Sequence, residues 1–188
     1  MALAAGGRRS ELGYGAGARF FHWITAGMLL AIVPIGLVMG ALPRGALQNA
    51  AFTTHESLGL TVLGLTLLRF LWRLTHPAPP PSADLAPVER EVSRLVHAAL
   101  YLVLLALPIT GYLFVSFSGI ALDYFGLAQV PALTAKDKPI GDLALYVHTS
   151  LQWAIYALVA LHVAAALHHH FLRRNDVLRR MLPSLRNR

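Results

Sequence analysis

The stretch that decides the fold is residues 143–171, LALYVHTSLQWAIYALVALHVAAALHHHF, which contains no Asp, Glu, Lys or Arg. About 20 apolar residues suffice to cross the hydrocarbon core of a bilayer, so this stretch is long enough to form a membrane-spanning helix. It also carries His148 and His162. Ionisable residues inside a span are costly and are functional candidates by default. The stretch therefore predicts a transmembrane helix that carries a site built on histidine.

Three further apolar stretches precede this one. We predict four spans in all, at approximately residues 19–42, 53–74, 95–117 and 143–171. The composition agrees, because 13% of the residues are charged, whereas about 25% are charged in a typical soluble domain. The stretch HPAPPPSADLAP at 76–87 is predicted to be an extended linker, since proline does not continue a helix, and the connection 118–142 is predicted to be irregular or partly interfacial. The fold class is therefore an all-α membrane protein, a single four-transmembrane-helix domain over residues 1–188.

The basic residues are divided unequally between the two sides of the predicted bundle. One side carries only Arg44, Lys136 and Lys138. The other 13 of the 16 Lys and Arg residues are Arg8, Arg9, Arg19, Arg69, Arg73, Arg90, Arg94 and the six arginines after His170. Because cytoplasmic loops of membrane proteins are enriched in Lys and Arg, we expect both termini to lie in the cytoplasm.

The same distribution bears on partners and targeting. The net charge of +7 follows the ends of the apolar stretches, so it predicts contact with membrane lipid and no nucleic-acid partner. Residues 1–18 lack the long apolar core of a cleavable signal peptide, so the first apolar stretch is expected to remain as a helix.

Histidine is the residue type on which chemistry can be built here. The chain has no cysteine and nine histidines. The absence of cysteine excludes disulfides, iron–sulfur clusters, thiolate-bound metals and c-type haem attachment. Any metal chemistry must therefore be built mainly from imidazole.

The predicted topology gives each histidine in a span a depth in the membrane. His22 and His97 lie near the cytoplasmic face, and His55 and His148 lie near the outer face. His162 follows His148 by 14 residues, which in an α-helix is four turns less about 40° and about 21 Å along the axis. His148 and His162 are therefore expected on one helix face at two depths.

Histidines at paired depths are typical of b-type haem sites, in which two axial ligands come from facing helices. His55 can meet His148, and His162 can meet His22. However, His97 lies at a depth similar to that of His22, so spacing alone does not choose between them. Small residues near these positions leave room for a flat macrocycle: Ala26, Gly27, Gly59, Ala165 and Ala166. The alternative is that each histidine is merely interfacial, but four of them at paired depths favour two haem b groups.

The chain resembles the bacterial cytochrome b561 family in several motifs. They are RFFHW at 19–23, HESLG at 55–59, LLRFLWRLTHPAPP at 67–80, ALPITGY at 106–112, VHTSLQ at 147–152, LHVAAALHHHF at 161–171 and RRNDVLRRMLP at 173–183. The resemblance implies a four-helix, two-haem cytochrome of the bacterial inner membrane that exchanges electrons with ubiquinone, and some members oxidise superoxide. Carried over by motif, the haem-iron ligands are His22, His55, His148 and His162, with His97 near a haem.

Three other residues are secondary candidates. His169 follows His162 by seven residues, about 20° from the same helix face, and the family also carries histidines here. It is a candidate proton relay to ubiquinone, a role suited to imidazole; the alternative is an interfacial cluster with His168 and His170. Arg69 and Arg73 are candidate contacts for haem propionates, or extend to the lipid headgroups instead.

Three functions compete. The leading one is an oxidoreductase that takes electrons from a small periplasmic donor, in its sharpest form superoxide, and delivers them to ubiquinone. The second is a haem b electron conduit that serves a separate redox partner protein. The third is a haem-free transporter or structural membrane protein, which would leave the paired histidines unexplained.

The charged residues of the outer face bear on an anionic donor such as superoxide. Arg44, Lys136 and Lys138 would attract an anion, whereas Asp123, Asp137 and Asp142 oppose it.

Overall fold

The computed structural model describes residues 13–182 and contains four long helices. Helix α1 covers Ala16–Val38 and continues as a 3-10 turn, Met39–Ala41; the others are α2 (Ala46–Thr75), α3 (Pro87–Phe117) and α4 (Lys138–Leu167), which ends in a π-helical turn, His168–Leu172. All four are long and apolar enough to cross a membrane. The predicted helical architecture with four membrane-capable helices is confirmed. Arg8, Arg9, Arg186 and Arg188, which entered the charge count, lie outside the described residues.

The helices extend beyond the predicted spans, chiefly at their starts. Helices α2, α3 and α4 begin at Ala46, Pro87 and Lys138 rather than near 53, 95 and 143. A hydropathy pattern reports the part of a helix that lies in hydrocarbon, and the polar first turns lie outside it. Pro87 suits a first turn, since its missing N–H would have no partner there. Asp137 caps α4 by accepting a hydrogen bond from the Ile140 N–H at 3.2 Å.

The connection between α3 and α4 contains a short β-hairpin, where the sequence predicted irregular chain. Strands β1 (Leu122–Tyr124) and β2 (Ala128–Val130) pair antiparallel. The buried Ser57 of α2 ties the hairpin to the bundle, because its hydroxyl donates to the Asp123 carbonyl at 3.1 Å and accepts from the Phe125 N–H at 2.9 Å. Such short strands have no periodic apolar pattern to reveal them, and tertiary contacts hold them in place.

Both ends of the described chain meet at one end of the bundle. The Tyr14 N–H donates to the Arg180 carbonyl at 3.2 Å, and the Trp23 indole N–H donates to the Met181 carbonyl at 2.8 Å. We call this end of the bundle the termini side, and the opposite end, which carries the β-hairpin, the hairpin side. Which of the two faces the cytoplasm stays a prediction.

The helices pack unevenly around a small apolar centre. Val62, Val103, Leu104 and Ile155 form a buried cluster at mid-bundle. Helix α4 packs along α3, and α1 and α3 pack along α2. In contrast, no Cα atom of α4 lies within 8 Å of α1 or α2 in the part of the chain that the structure describes. Helix α4 is therefore separated from α1 and α2 by a gap that side chains alone reach across.

Candidate functional site

Five histidines form two groups at opposite ends of the gap. The hairpin-side pair consists of His55 on α2 and His148 on α4, with ring centroids 6.2 Å apart. The termini-side cluster consists of His22 on α1, His97 on α3 and His162 on α4. The His22 and His162 centroids are 6.1 Å apart, and those of His97 and His162 are 5.3 Å apart. The structure thus brings together the predicted partners, and it brings His97 even closer to His162.

The spacing within the two cross-gap pairs is that of two imidazoles sharing one metal ion. A ring nitrogen lies about 1.1 Å from its ring centre and a metal–imidazole bond is about 2.0 Å long, so rings on opposite sides of an ion have centroids about 6.2 Å apart. His55–His148 and His22–His162 match this value. The His97–His162 spacing is about 1 Å shorter than that. The geometry therefore favours His22 over His97 as the ring opposite His162.

The orientation of His148 leaves one ring nitrogen available to a metal. Its Nδ1 lies 2.8 Å from the Leu107 carbonyl oxygen of α3. A carbonyl only accepts hydrogen bonds, so Nδ1 carries the proton and the Nε2 lone pair is free, as a metal ligand requires. On the other side of the gap, the buried Nδ1 of His55 has no partner with hydrogen-bond geometry among the described residues. The Leu107 carbonyl therefore fixes which nitrogen of the His148 ring is available.

Two glycines allow these rings to lie against the neighbouring helices. A Cβ atom on Gly36 of α1 would lie 2.8 Å from Cε1 of His55, and one on Gly111 of α3 would lie 3.0 Å from Cε1 of His148. Among the small residues that the sequence suggested, Gly59 lines the cavity beside the pair. Gly27 faces open space, with nothing within 4 Å of its Cβ position. The decisive close approaches are therefore at Gly36 and Gly111.

A largely apolar cavity surrounds the hairpin-side pair. It has about 1130 Å³ of space free of atoms, part of which is open to the surroundings, and all four helices and Leu122 of the hairpin contribute to its wall. Its few polar side chains besides the two histidines include Glu56 and Gln152. A cavity of this size and character, with two facing imidazoles, fits a flat, mainly apolar macrocycle with a metal at its centre.

The two candidate arginines differ in their surroundings. The Arg69 guanidinium lies over the Tyr101 ring, 5.3 Å from its centroid, and is within electrostatic reach of all three rings of the termini-side cluster. The Arg73 guanidinium lies over the Tyr14 ring, 5.8 Å from its centroid. Arg69 is therefore the better placed of the two to meet an anionic group bound at the cluster.

His169 lies in the π-helical turn at the end of α4, and Asn175 orients its ring. The Asn175 Oδ1 accepts from the Val177 N–H at 3.3 Å, which directs the Asn175 amide NH₂ towards His169 Nδ1 at 3.0 Å. Nδ1 therefore accepts, and in the neutral ring Nε2 carries the proton. Single π turns inside helices are frequent at functional sites. The arrangement gives His169 a defined N–H donor.

The sequence profile of the prokaryotic cytochrome b561 proteins matches residues 13–184. The chain belongs to this family. Cytochrome b561 homolog 2 of Escherichia coli K12 is 35% identical over 170 residues, covering 90% of each chain, and cytochrome b561 homolog 1 of the same strain is 30% identical over 170 residues, covering 87% of this chain and 93% of the relative. The probable superoxide oxidase CybB of Yersinia pestis is 31% identical over 167 residues, covering 88% of this chain and 93% of the relative.

Membership gives the geometry a chemical meaning. A cytochrome b561 family protein is a membrane haem protein, so the metal group implied by the ring spacing is b-type haem. Four membrane-capable helices and a prokaryotic family indicate a multi-pass protein of the bacterial inner membrane. At this coarse level, an electron-transfer or oxidoreductase activity is supported.

Several residues of the site were not singled out by the sequence. Nothing in the sequence indicated that Gly36 and Gly111 lie against the histidine rings, because a glycine in an apolar helix is ordinary. Asn175 lies beyond the last span, and its contact with His169 depends on how the chain turns after α4. Glu56 did have a visible sign, as a carboxylate next to His55 inside a predicted span, where charge is costly.

Proposed function

We propose that this protein is a di-haem b-type cytochrome that carries electrons across the inner membrane, from a small periplasmic one-electron donor to ubiquinone. The observation that supports this best is the pair of cross-gap histidine spacings, 6.2 Å on the hairpin side and 6.1 Å on the termini side. In this proposal the hairpin side faces the periplasm and both termini lie in the cytoplasm, following the charge distribution.

Each haem has two ligands in this proposal. His55 and His148 hold the haem on the hairpin side, and His22 and His162 hold the haem on the termini side, with His97 beside it. When bound, haem supplies the one-electron chemistry. The protein orients the ligands, as at His148, and separates the two groups: His148 and His162 are 14 residues apart on one helix, about 21 Å. The apolar cluster around Leu104 lies between the two levels.

Arg69 is the residue that we propose to bind a haem propionate on the termini side. Its guanidinium can form paired hydrogen bonds with a carboxylate, and it already lies within electrostatic reach of the three histidines. Arg73, four residues later on α2, lies against Tyr14 and is the weaker candidate.

Ubiquinone is proposed to react on the termini side, next to His169. Two donor molecules each lose one electron, and one quinone gains two electrons and two protons to become quinol. The Nε2–H of His169, whose other ring nitrogen accepts from Asn175, is suited to hydrogen-bond a quinone oxygen and to pass a proton to it. The protons then come from the cytoplasmic side.

Superoxide is the donor that one relative's name raises, because CybB of Yersinia pestis is called a probable superoxide oxidase. The hairpin side offers only modest attraction for an anion. Lys138 is engaged with Asp142 at 2.6 Å, and Arg44 and Lys136 form no salt bridge within the described residues. Electrostatic steering by two such cations would be weak and strongly dependent on salt.

The test uses purified holoprotein. We expect a b-type spectrum on reduction with dithionite and about two haems per chain by pyridine haemochrome, because two ligand pairs are present. We also expect superoxide to reduce the haems, and to do so faster at low salt than at high salt. A soluble ubiquinone analogue should then reoxidise them. One haem per chain would contradict the pairing. Haem reduction no faster than the uncatalysed decay of superoxide would remove superoxide as donor, and a stoichiometric co-purified redox protein would favour the conduit function.

Substitution of His169 tests the quinone side. We expect His169→Ala to slow reoxidation of the reduced haems by the quinone about 10²-fold, the lower end for a lost general acid, with haem content and spectrum unchanged. Asn175→Ala should cause a smaller loss, since it frees the ring to rotate. His168→Ala, one residue away, is the matched control. An unchanged rate in His169→Ala would show that the proton takes another route.

A further inference from the structure

Glu56 is a carboxylate in the wall of the cavity that surrounds the hairpin-side pair. It follows His55 directly in α2, and Phe52, Glu56 and Leu60, which are spaced by four residues, all line this cavity. The same cavity is lined by His55 and His148. The surroundings are mostly apolar, and the side chain of Glu56 is only partly exposed. A potential negative charge therefore lies beside the group that the two histidines would hold.

No basic side chain compensates for Glu56. Within residues 13–182 its side chain forms neither a salt bridge nor a hydrogen bond. The other charged group that acts on it is the carboxylate of Asp123 in the hairpin. Asp123 itself accepts from the Gly126 N–H at 2.8 Å, and Lys138 is engaged by Asp142. When ionised, Glu56 would therefore place an uncompensated negative charge in the cavity wall.

A charge in such a place has two physical consequences. Interactions between charges are screened less in partly buried, apolar surroundings than in water. A carboxylate beside a haem therefore makes the gain of an electron less favourable, which lowers the reduction potential. It also repels an anion that approaches the cavity, whereas a neutral or cationic molecule meets no such barrier.

We propose that Glu56 is a specificity-determining residue of the hairpin-side site, which lowers the potential of the haem held there and disfavours anionic donors relative to neutral or cationic ones. The inference rests on the proposed function. The step that it controls transfers one electron from the donor to the haem iron, so that the donor is oxidised and the iron is reduced. No bond or proton is exchanged in that step.

The charge-removing variant Glu56→Gln tests this in the holoprotein by redox titration of both haems. We expect the reduction equilibrium of one haem to shift about fivefold towards the reduced form, about 40 mV upward at 59 mV per tenfold for one electron, while the other haem is unchanged. Glu56→Asp keeps the charge and should titrate like the original protein. Asp84→Asn removes an exposed carboxylate from the linker between α2 and α3 and controls for net charge.

The same variants are compared with two donors, superoxide and a neutral hydroquinone. Glu56→Gln should accept electrons from superoxide several-fold faster at low salt and less so at high salt, while the rate with the hydroquinone changes only in proportion to the altered potential. Unchanged potentials in Glu56→Gln, with both haems present, would overturn the proposal and leave the proposed function intact. Absence of haem from the purified, unsubstituted protein would instead overturn the proposed function.

A second variant decides the question if Glu56→Gln does not retain its haems. Gln152→Glu adds a carboxylate of almost the same shape to the same cavity wall. It should lower the potential of the same haem and slow the reaction with superoxide. An unchanged potential in this variant would overturn the proposal as well.

Discussion

The hairpin-side pair and the termini-side cluster hold their histidines in different ways. On the hairpin side two rings lie in a cavity, each against a glycine of the neighbouring helix, and the ring of His148 donates to a backbone carbonyl. On the termini side three rings converge without a glycine beside any of them in the described residues, and Arg69 acts on all three. On the hairpin side the rings are held by close contacts, and on the termini side the pair is surrounded by a third imidazole and a positive charge.

This difference indicates which properties each end can tune. Where a ring is fixed by a glycine and a carbonyl, ligand orientation is sensitive to the loss of even small amounts of space. Where a third imidazole and a guanidinium surround the pair, the local charge can change while the ligands stay in place. We therefore expect small steric substitutions to disturb the ligands more on the hairpin side than on the termini side.

The largest expected effect comes from removing a ligand on α4 at either end. In the proposed di-haem arrangement, His148→Leu and His162→Leu should each lower the haem content from about two to about one per chain, since a b-type haem is held by its axial ligands. The measurement is a pyridine haemochrome count, with His76→Leu as control because His76 stacks on Trp72 outside both groups. Loss of both haems from either variant would show that the two ends are not independent.

The next effect separates His22 from His97. We expect His22→Ala to lose the termini-side haem or its six-coordinate spectrum, because His22 has the cross-metal spacing of 6.1 Å. His97→Ala should keep both haems and show only a shift of one potential, since its ring lies beside the pair. Absorption and electron paramagnetic resonance spectra distinguish the two results. The reverse pattern, with haem retained in His22→Ala and lost in His97→Ala, would make His97 the ligand.

The smallest expected effect tests the steric character of the hairpin side. A methyl group on Gly36 would lie 2.8 Å from His55, so Gly36→Ala should weaken haem binding there by about 1–3 kcal/mol, the usual cost of overpacking. Gly27→Ala, on the same helix, places its methyl group in open space and is the matched control. Haem retention during dilution or mild heating reports the effect. Equal retention in the two variants would mean that the His55 ring moves freely.

The sequence was sufficient to predict the spans and the relative depths of the histidines. Apolar length predicts a transmembrane helix because the bilayer sets that length, and helical periodicity places His148 and His162 on one face. It was not sufficient for helix starts such as Pro87, which are set by capping and by the loops, or for the hairpin, which is held by Ser57. The family motifs selected His22 over His97, and the ring spacing favours the same choice.

The sequence alone determined the class of protein and the residue types available for its chemistry: four apolar spans, no cysteine, and histidines at paired depths. These follow from composition and from the period of a helix, which are local properties. Only the tertiary structure decided how the rings face one another and which glycines admit them. It also decided that Arg69 acts on all three rings of the termini-side cluster and Arg73 on His97 alone, and that Glu56 enters the cavity wall. Those properties depend on the rotation and separation of whole helices, which packing sets and no single helix encodes.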